Sequence, residues 1–334
     1  MALGVGLGSQ LSFGAESAYG TPATLNHFLS PEKVSLKAVK NIVQGGGLQG
    51  ATLQLGARRA VTTVGGSGDI ETQIFNRGLG LLLQALMGTT VTPAQIGTTA
   101  AYTQTHTWAD TAAGKSLTIQ SAIPTLNGTL NPYTYLGCKV VAADFSFEID
   151  KDASAKLTID AQQVVESVTV PAASYDTTIR QFVGTQMGIT VGAYGSTAPA
   201  TPAVGVTKAE VKFERPSKTD RYYAGQAGLK AEPLGNNWAK ISGTITADFV
   251  DKTLWADRFA NQTGFSLQIT LTGAQIGTSG SNDLFQITLP CLFLDGDTPE
   301  VDGPDVVSGS FGFTALWDGT NRPVISVVSS EATL

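Results

Sequence analysis

From Gly68 the chain reads GDIETQIFNRGLGLLLQALMG. Ile70, Thr72 and Ile74 alternate with Asp69, Glu71 and Gln73, the period-two pattern of a strand with one covered face. The run then passes into leucines at 79, 82, 83 and 86, a spacing that predicts a helix with one apolar stripe. Asn76 is expected to cap that helix, because its side chain can accept from the free N–H groups of the first turn, and Gly88 is expected to stop it. Alternation elsewhere predicts strands at KVSLK (33–37), KSLTIQ, YLGCKVVAADFSFEID and AKLTIDAQQVV, with a short strand-like stretch at GTQMGITVGAYGS. Two alternating runs in ATLQLGARRAVTTVGGSGDIETQIF, separated by glycine, predict a long hairpin. Residues 1–30 are Gly-rich without helical periodicity and predict an extended arm, and 89–114 predicts a long polar loop of the kind that contacts a neighbour.

The opening pattern recurs. A shift of 175 sets Gly68 on Gly243, Ile70 on Ile245, Ile74 on Phe249, Asn76 on Asp251, Arg77 on Lys252 and Leu79 on Leu254 without a gap. Shifts of 150 (SLTI on SLQI), 166 (FSF on FGF, Ile159 on Ile325) and 158 (ATLQL on AEVKF) place further segments in the same order. One fold used twice follows from that order. The expected division is an arm at 1–30, a first copy at 31–170, a Pro/Thr/Ala-rich linker at 171–205 and a second copy at 206–334. The second helix is the poorer one, with Asp257 and Arg258 where the first has leucines.

Composition agrees with a mainly β protein. Charged residues are only 14% of the 334, and 38 are glycine, a mix that favours strands and turns. The net charge of −6 argues against a clamp on nucleic acid, which needs many Lys and Arg contacts to phosphate, while leaving room for an acidic wall along which nucleic acid slides. Cys138 and Cys291 have no CxxC spacing and are expected to be buried free thiols. MALGVGLGSQLSFG lacks the basic and apolar regions of a signal peptide, and no run reaches the roughly 20 apolar residues of a membrane span, so assembly in a cytoplasm is expected.

Chemistry-bearing motifs are absent. His27 and His106 are the only histidines, too few for a histidine-based triad or a zinc centre, and GVGLG at 4–8 follows no strand, so it lacks the context of a phosphate loop. No catalytic residue, metal site or cofactor is expected. DGDTPEVDGPD holds Asp295, Asp297, Glu300, Asp302 and Asp305 without the glycine and glutamate positions of a calcium loop, and reads as a solvated or interface loop. In KAEVKFERPSKTDRYY, Lys212 and Arg215 belong to a mixed-charge strand face suited to salt-bridged contact with a neighbouring copy. Asp69 and Glu71 share one strand face, pointing away from the apolar positions, and Asp248 is the acid of the duplicate strand; these three are candidates to line a channel.

FGAESAYGTPAT, the QGGGLQG turn, the strand–helix passage GDIETQIFNRGLGLLLQAL and the closing TPEVDGPDVVSGSFGFTALWDG resemble the tail tube proteins of long-tailed, non-contractile bacteriophages, over residues 8 to 330 or so. The resemblance implies a structural virion protein rather than an enzyme. It implies two tandem tail-tube-like β-sandwich or half-barrel domains, each with a flanking helix, whose inner strands join those of neighbours in a shared β-barrel. Rings would stack into a tube that conducts DNA during ejection without binding it specifically, with a tape measure protein and a tail terminator as further partners. The family's arm and long loops contact the next ring, which singles out Glu16, Tyr19, Thr103, His106 and Trp108; Asp302 in the acidic loop joins them. With two tube domains per chain, a trimeric pseudo-hexameric ring is expected, a hexamer being the second choice. A tail-tip or baseplate hub with a tube-like fold is the alternative function.

Overall fold

A computed structural model describes residues 6–48, 50–250, 252, 253, 255–295, 304 and 307–334. Strands hold 50% of the residues and helices 7%, so the fold is mainly β. The first half carries β1 (Gln10–Ala15), β2 (His27–Leu29), β3 (Lys33–Val34), β4 (Lys37–Gln44), β5 (Arg59–Gln73), helix α1 (Gly80–Met87), β6 (Ala94–Gln95), β7 (Tyr102–Thr107), β8 (Leu117–Pro124), β9 (Leu130–Glu148), β10 (Ser154–Ala161) and β11 (Gln163–Val165). Then follow β12 (Met187–Ala193), β13 (Thr201–Pro202), β14 (Val206–Glu214), β15 (Ser217–Lys218), β16 (Leu234–Gly235), β17 (Lys240–Asp248), helix α2 (Ala256–Ala260), β18 (Phe265–Gln275), β19 (Asn282–Leu294), β20 (Ser308–Ala315) and β21 (Val324–Ser329).

Every pairing between these strands is antiparallel, and one sheet runs without interruption across both halves in the order β5–β10–β9–β14–β17–β20. The join is β14 on β9, from Lys208 opposite Glu148 to Glu214 opposite Ala142. Strand β9 is long enough to serve two sheets, because its first residues pair with β8 and β11 and its later ones with β10 and β14. Along all six strands the inward side chains are apolar (Ile70, Leu157, Phe145, Val211, Ile245 and Phe311 among them) and belong to one buried cluster. Phe145 links the halves directly, with ring centroids 5.9 Å from Phe213 and 5.7 Å from Phe285. Each such ring removed from water contributes about 1.5–3 kcal/mol, so separating the halves would expose several of the largest contributions at once.

Helix α1 departs from the expected one-sided stripe. Seven of its eight residues are buried, since GLLLQALM offers only Gln84 as a polar face, and a helix apolar all round belongs inside. Gly88 stops it as expected, at φ 84° with its N–H on Gln84 O. Asn76 is not its cap: Leu79 occupies that position, and Asn76, itself buried, gives Nδ2–H to Asp283 Oδ2 at 3.0 Å and accepts from Arg180 N at 2.9 Å. Asn76 therefore ties the end of β5 to the second half. Helix α2 is shorter, five residues with none fully buried, in line with its poorer sequence.

Other expectations change. Residues 10–15 and 27–29, within the predicted arm, are strands: β1 lies beside β8 and β2 and buries Leu11, Phe13 and Leu29. Within the predicted linker, the strand-like stretch GTQMGITVGAYGS holds β12, as expected, and β12 lies beside β18. The predicted loop 89–114 contains β7, paired with β21 at the far end of the chain. Its inward positions are Gln104 and His106, so hydropathy alone conceals the strand. The hairpin exists, but its first strand is β4, before the glycines; ATLQL lies in the exposed tip and is no strand. ATLQL is accordingly not the segment whose register matches that of AEVKF. Lys33 and Val34 face Glu71 and Ile70 just as Lys208 and Ala209 face Thr246 and Ile245, each residue 175 positions on.

Candidate channel-lining face and assembly surfaces

Because side chains alternate, the six strands that turn apolar residues inward turn a polar set outward. Across the sheet, Lys33, Glu71, Lys156, Asp144, Lys212, Ser242 and Thr314 form one cross-strand row, alternating in sign over its first five members. Lys33 Nζ lies 2.9 Å from Glu71 Oε1, Lys156 Nζ 3.2 Å from Asp69 Oδ2, and Lys212 Nζ 2.7 Å from Glu214 Oε1. Thr158 Oγ1 donates to Asp69 Oδ1 at 2.8 Å. Partial burial pushes the Asp144 carboxyl above its ordinary range, with Lys212 and Lys156 opposing the shift. The middle of this face is concave, a shallow hollow of about 440 Å³ lined by Asp144, Ser146, Glu210, Lys212, Ser242 and Thr244 among others.

Asp69, Glu71 and Lys212 thus come together on one face, and Asp248 stands at the end of β17 on the same face, opposite Ser308. Among the described residues the face carries the carboxylates of Asp69, Glu71, Asp144, Glu148, Asp160, Glu210, Glu214 and Asp248 and the lysines Lys33, Lys139, Lys156, Lys208, Lys212 and Lys240, so its acidity is largely balanced. Sequence reading found two of these acids on β5 and missed the lysines beside them. The signal was available, since KAEVKFE and SAKLTID alternate with the same period.

Of the residues predicted to touch neighbours, several are buried within the chain. Glu16 is buried, accepting from Thr118 Oγ1, Gly137 N and Gly20 N at 2.8–3.0 Å. Tyr19 is half-buried and its hydroxyl has no partner; burial and nearby carboxylates raise its pKa. Thr103 is half-buried on β7, facing Val328. His106 is fully buried with neither ring nitrogen bonded, and burial lowers its pKa to about 4. Trp108, also buried, stacks on Phe213 and carries the Arg215 guanidinium 4.0 Å above its ring. Arg215 crosses from the second half to the C-terminus of α1. Its Nε donates to Leu86 O at 3.3 Å and its Nη2 to Met87 O at 3.2 Å and Ala109 O at 3.0 Å, satisfying carbonyls that a helix end leaves open. Lys212 is exposed. Asp302 lies outside the described residues, as do Asp297, Glu300 and Asp305.

Two surfaces unmarked by the sequence reading stand out. The β4–β5 hairpin is exposed along all of β4 and bears Val39, Ile42, Val43, Leu53 and Leu55 in solvent, Leu53 at 82% exposure. At the opposite end of the six-stranded sheet, Ile149, Val204, Phe249 and Val250 form an exposed apolar rim. The segment between β14 and β17 folds back on the sheet instead of projecting: Val64 N donates to Gly228 O, and Lys230, 4% exposed, pairs with Asp160. Among the described residues no cluster of His, Cys, Asp and Glu could hold a metal ion, and no helix is long and apolar enough to cross a membrane.

A search of curated proteins returned no match. The family model described as phage tail tube protein matches residues 6–315, nearly the whole length, including the strands of the polar face and the projecting hairpin. The chain therefore belongs to the phage tail tube protein family, whose members are structural components of the virion tail.

Proposed function

We propose that the chain is the building block of a tube whose bore is lined by the concave polar face, that three chains close each ring, and that phage DNA moves through it during ejection. The observation that carries the reading is the continuous polar sheet spanning both halves, apolar on one side and hydrated on the other, with β4, beyond β5, paired among the described residues with β5 alone. Sheet edges invite pairing, and a ring is the arrangement that leaves none open.

Strand register supports two copies of one unit. Ile70 faces Leu157 as Ile245 faces Phe311, and Gly68 faces Ile159 as Gly243 faces Phe313, with 175 residues between the first partners and 154 between the second. Leu117 faces Cys138 and Ile119 faces Tyr135 across a bulge; Phe265 faces Leu292 and Leu267 faces Leu289 across the same bulge, at offsets of 148 and 154. β1 stands beside β8 as β12 stands beside β18, Phe13 on Ile119 and Val191 on Leu267. On this basis the copies begin near residues 10 and 187. The stretches 1–30 and 171–205 then belong to them, and the bodies 31–170 and 206–334 are fused through one core.

Stacking follows from the ends of the sheet. The apolar hairpin projects from one end and the apolar rim sits at the other, a head-to-tail match that repeats without closing and so builds a filament. A bore with balanced charges holds no layer of bound phosphate counterparts, which suits passage of DNA rather than binding. Electron microscopy of the purified protein tests the reading. Stacked rings or tubes are expected; a particle that stops at one ring would support the hub alternative, and a monomer at high concentration would overturn the proposal.

A further inference from the structure

The projecting hairpin outruns the sheet it grows from. β10 stops at Ala161 opposite Gly66, so from Gly65 outward β5 has β4 on one side and, among the described residues, no strand on the other. A two-stranded ribbon by itself is marginally stable in water, and this one leaves Val39, Ile42 and Val43 exposed instead of packing a face. Its base is nonetheless held. Both main-chain groups of Val64 go to the segment 221–232 of the second half: Val64 N donates to Gly228 O at 3.1 Å, and Val64 O accepts from the Tyr222 hydroxyl at 3.3 Å. Gly228 fits there because it has no side chain. Its φ is 80°, and a β-carbon on it would lie 2.5 Å from Thr62 O.

The segment is closed on itself and anchored to the first half. Tyr222 bridges Lys230, and Ala231 N donates to Arg221 O at 2.9 Å. Lys230 Nζ lies 2.5 Å from Asp160 Oδ1 with both side chains largely covered, and Gln162 Nε2 donates to Lys230 O at 2.8 Å. Glu232 pairs with Lys139, and its Oε1 accepts from Gly114 N at 2.7 Å. Asp160, Gln162, Lys139 and Gly114 all belong to the first half, so 221–232 takes this seat when the two halves are docked. Tyr222 and Val64 are 158 residues apart in the chain.

We infer that 221–232 is a brace that sets the direction of the β4–β5 hairpin before assembly, with Gly228 and Tyr222 as positioning residues for stacking. The inference rests on the hairpin's role in stacking and goes further, in naming what holds the hairpin in its stance. A ribbon fixed in its docked direction loses less freedom on binding than one that swings, so the brace strengthens a contact it does not touch. It also ties assembly to folding, because a chain whose second half is not in place presents an unsupported hairpin.

The test compares Gly228→Ala with Gly225→Ala in the full chain. Both alanines enter the left-handed region, at φ 80° and 85°, but the one at 225 meets no atom within 4 Å while the one at 228 runs into Thr62 O. Hydrogen exchange followed by mass spectrometry reads the hairpin base in unassembled subunits; light scattering with electron microscopy reads rings and tubes. Relative to Gly225→Ala, Gly228→Ala should speed exchange across 59–66 roughly fivefold or more, the equivalent of one lost hydrogen bond, and slow tube growth by a similar factor. Rings should still form, and exchange in β9 and β17 should not change. Equal exchange in the two variants, or a freed hairpin with tube growth unchanged, would overturn the inference. If Gly228→Ala does not fold, Tyr222→Phe decides: it removes only the hydroxyl on Val64 O, and should raise hairpin exchange and slow tube growth roughly twofold. Tube growth unchanged in that variant would overturn the inference while leaving the tube reading intact. Wild-type protein that forms no tubes would defeat the tube reading and this inference with it.

Discussion

Replacing Arg215 with alanine removes a cation that one half of the chain sends to the helix end of the other. The side chain serves three carbonyls at 3.0–3.3 Å and covers the Trp108 ring at 4.0 Å. Hydrogen bonds from a charged donor contribute about 1.5–3 kcal/mol, a partly buried cation at a helix C-terminus up to about 2, and a cation over an indole about 0.5–2. One side chain makes all of these contacts, so they do not add, and a loss of about 3 kcal/mol is expected. Burial lowers the guanidinium pKa to about 10, which still leaves it charged at pH 7. Arg215→Lys keeps the charge but not the planar fork, and should lose about half as much. Urea unfolding of unassembled subunits at pH 7, followed by tryptophan fluorescence and far-UV circular dichroism, reads the difference. A loss under about 0.5 kcal/mol for Arg215→Ala, or no separation between Ala and Lys, would refute the clamp.

Four further outcomes follow from the same structure. His106 is held neutral, so between its ordinary pKa near 6.5 and about 4 the unfolded chain takes up a proton that the native chain refuses; stability therefore falls with pH across that window by up to about 3 kcal/mol. His106→Leu should flatten this fall, read as the difference from wild type because Asp160 and Glu331, whose pKa values burial raises, act with opposite sign. Breaking the covered Lys230–Asp160 pair with Lys230→Met should cost about 3 kcal/mol in thermal or urea unfolding, and adding Asp160→Leu should recover most of it. Leu53→Ser with Leu55→Ser should leave rings intact and shorten or abolish tubes in electron micrographs; unchanged tube length would remove the hairpin from the stacking contact. Asp69→Lys with Glu71→Lys should slow DNA ejection in a release assay while rings still form, with a stability loss of about 1–2 kcal/mol from two half-exposed ion pairs and the new like charges.

The strands of the polar face were legible because their alternation is strict: DIETQI, AKLTID and AEVKF each place apolar residues every second position, and those residues are the buried ones. The tight stop at Gly88 was legible from a glycine ending a leucine run. β7 was hidden by polar residues at its inward positions, Gln104 and His106, whose burial depends on β21 more than two hundred residues away. Asn76 looked like a cap because local sequence cannot show Asp283 and Arg180 beside it. Strand pairings correspond at offsets of 175, 148 and 154, and the letter-string matches at 158 and 166 depart from these for a related reason: the first sets ATLQL, which is no strand, on β14, and the second sets residues of β9 and β10 on β20 and β21. The exposed leucines of the hairpin, Leu53 and Leu55, alternate as strand residues do but sit in a tip that packs on nothing, so their period predicted a strand that does not form.

The account depends most on which side of the six-stranded sheet faces the axis and how many chains surround it. A cryo-electron microscopy reconstruction of the assembled protein measures both. Three chains per ring, with Asp69, Asp144 and Lys212 on the wall of the bore, is the predicted result. Six chains per ring, or a bore bounded by any other surface of the fold, would contradict it.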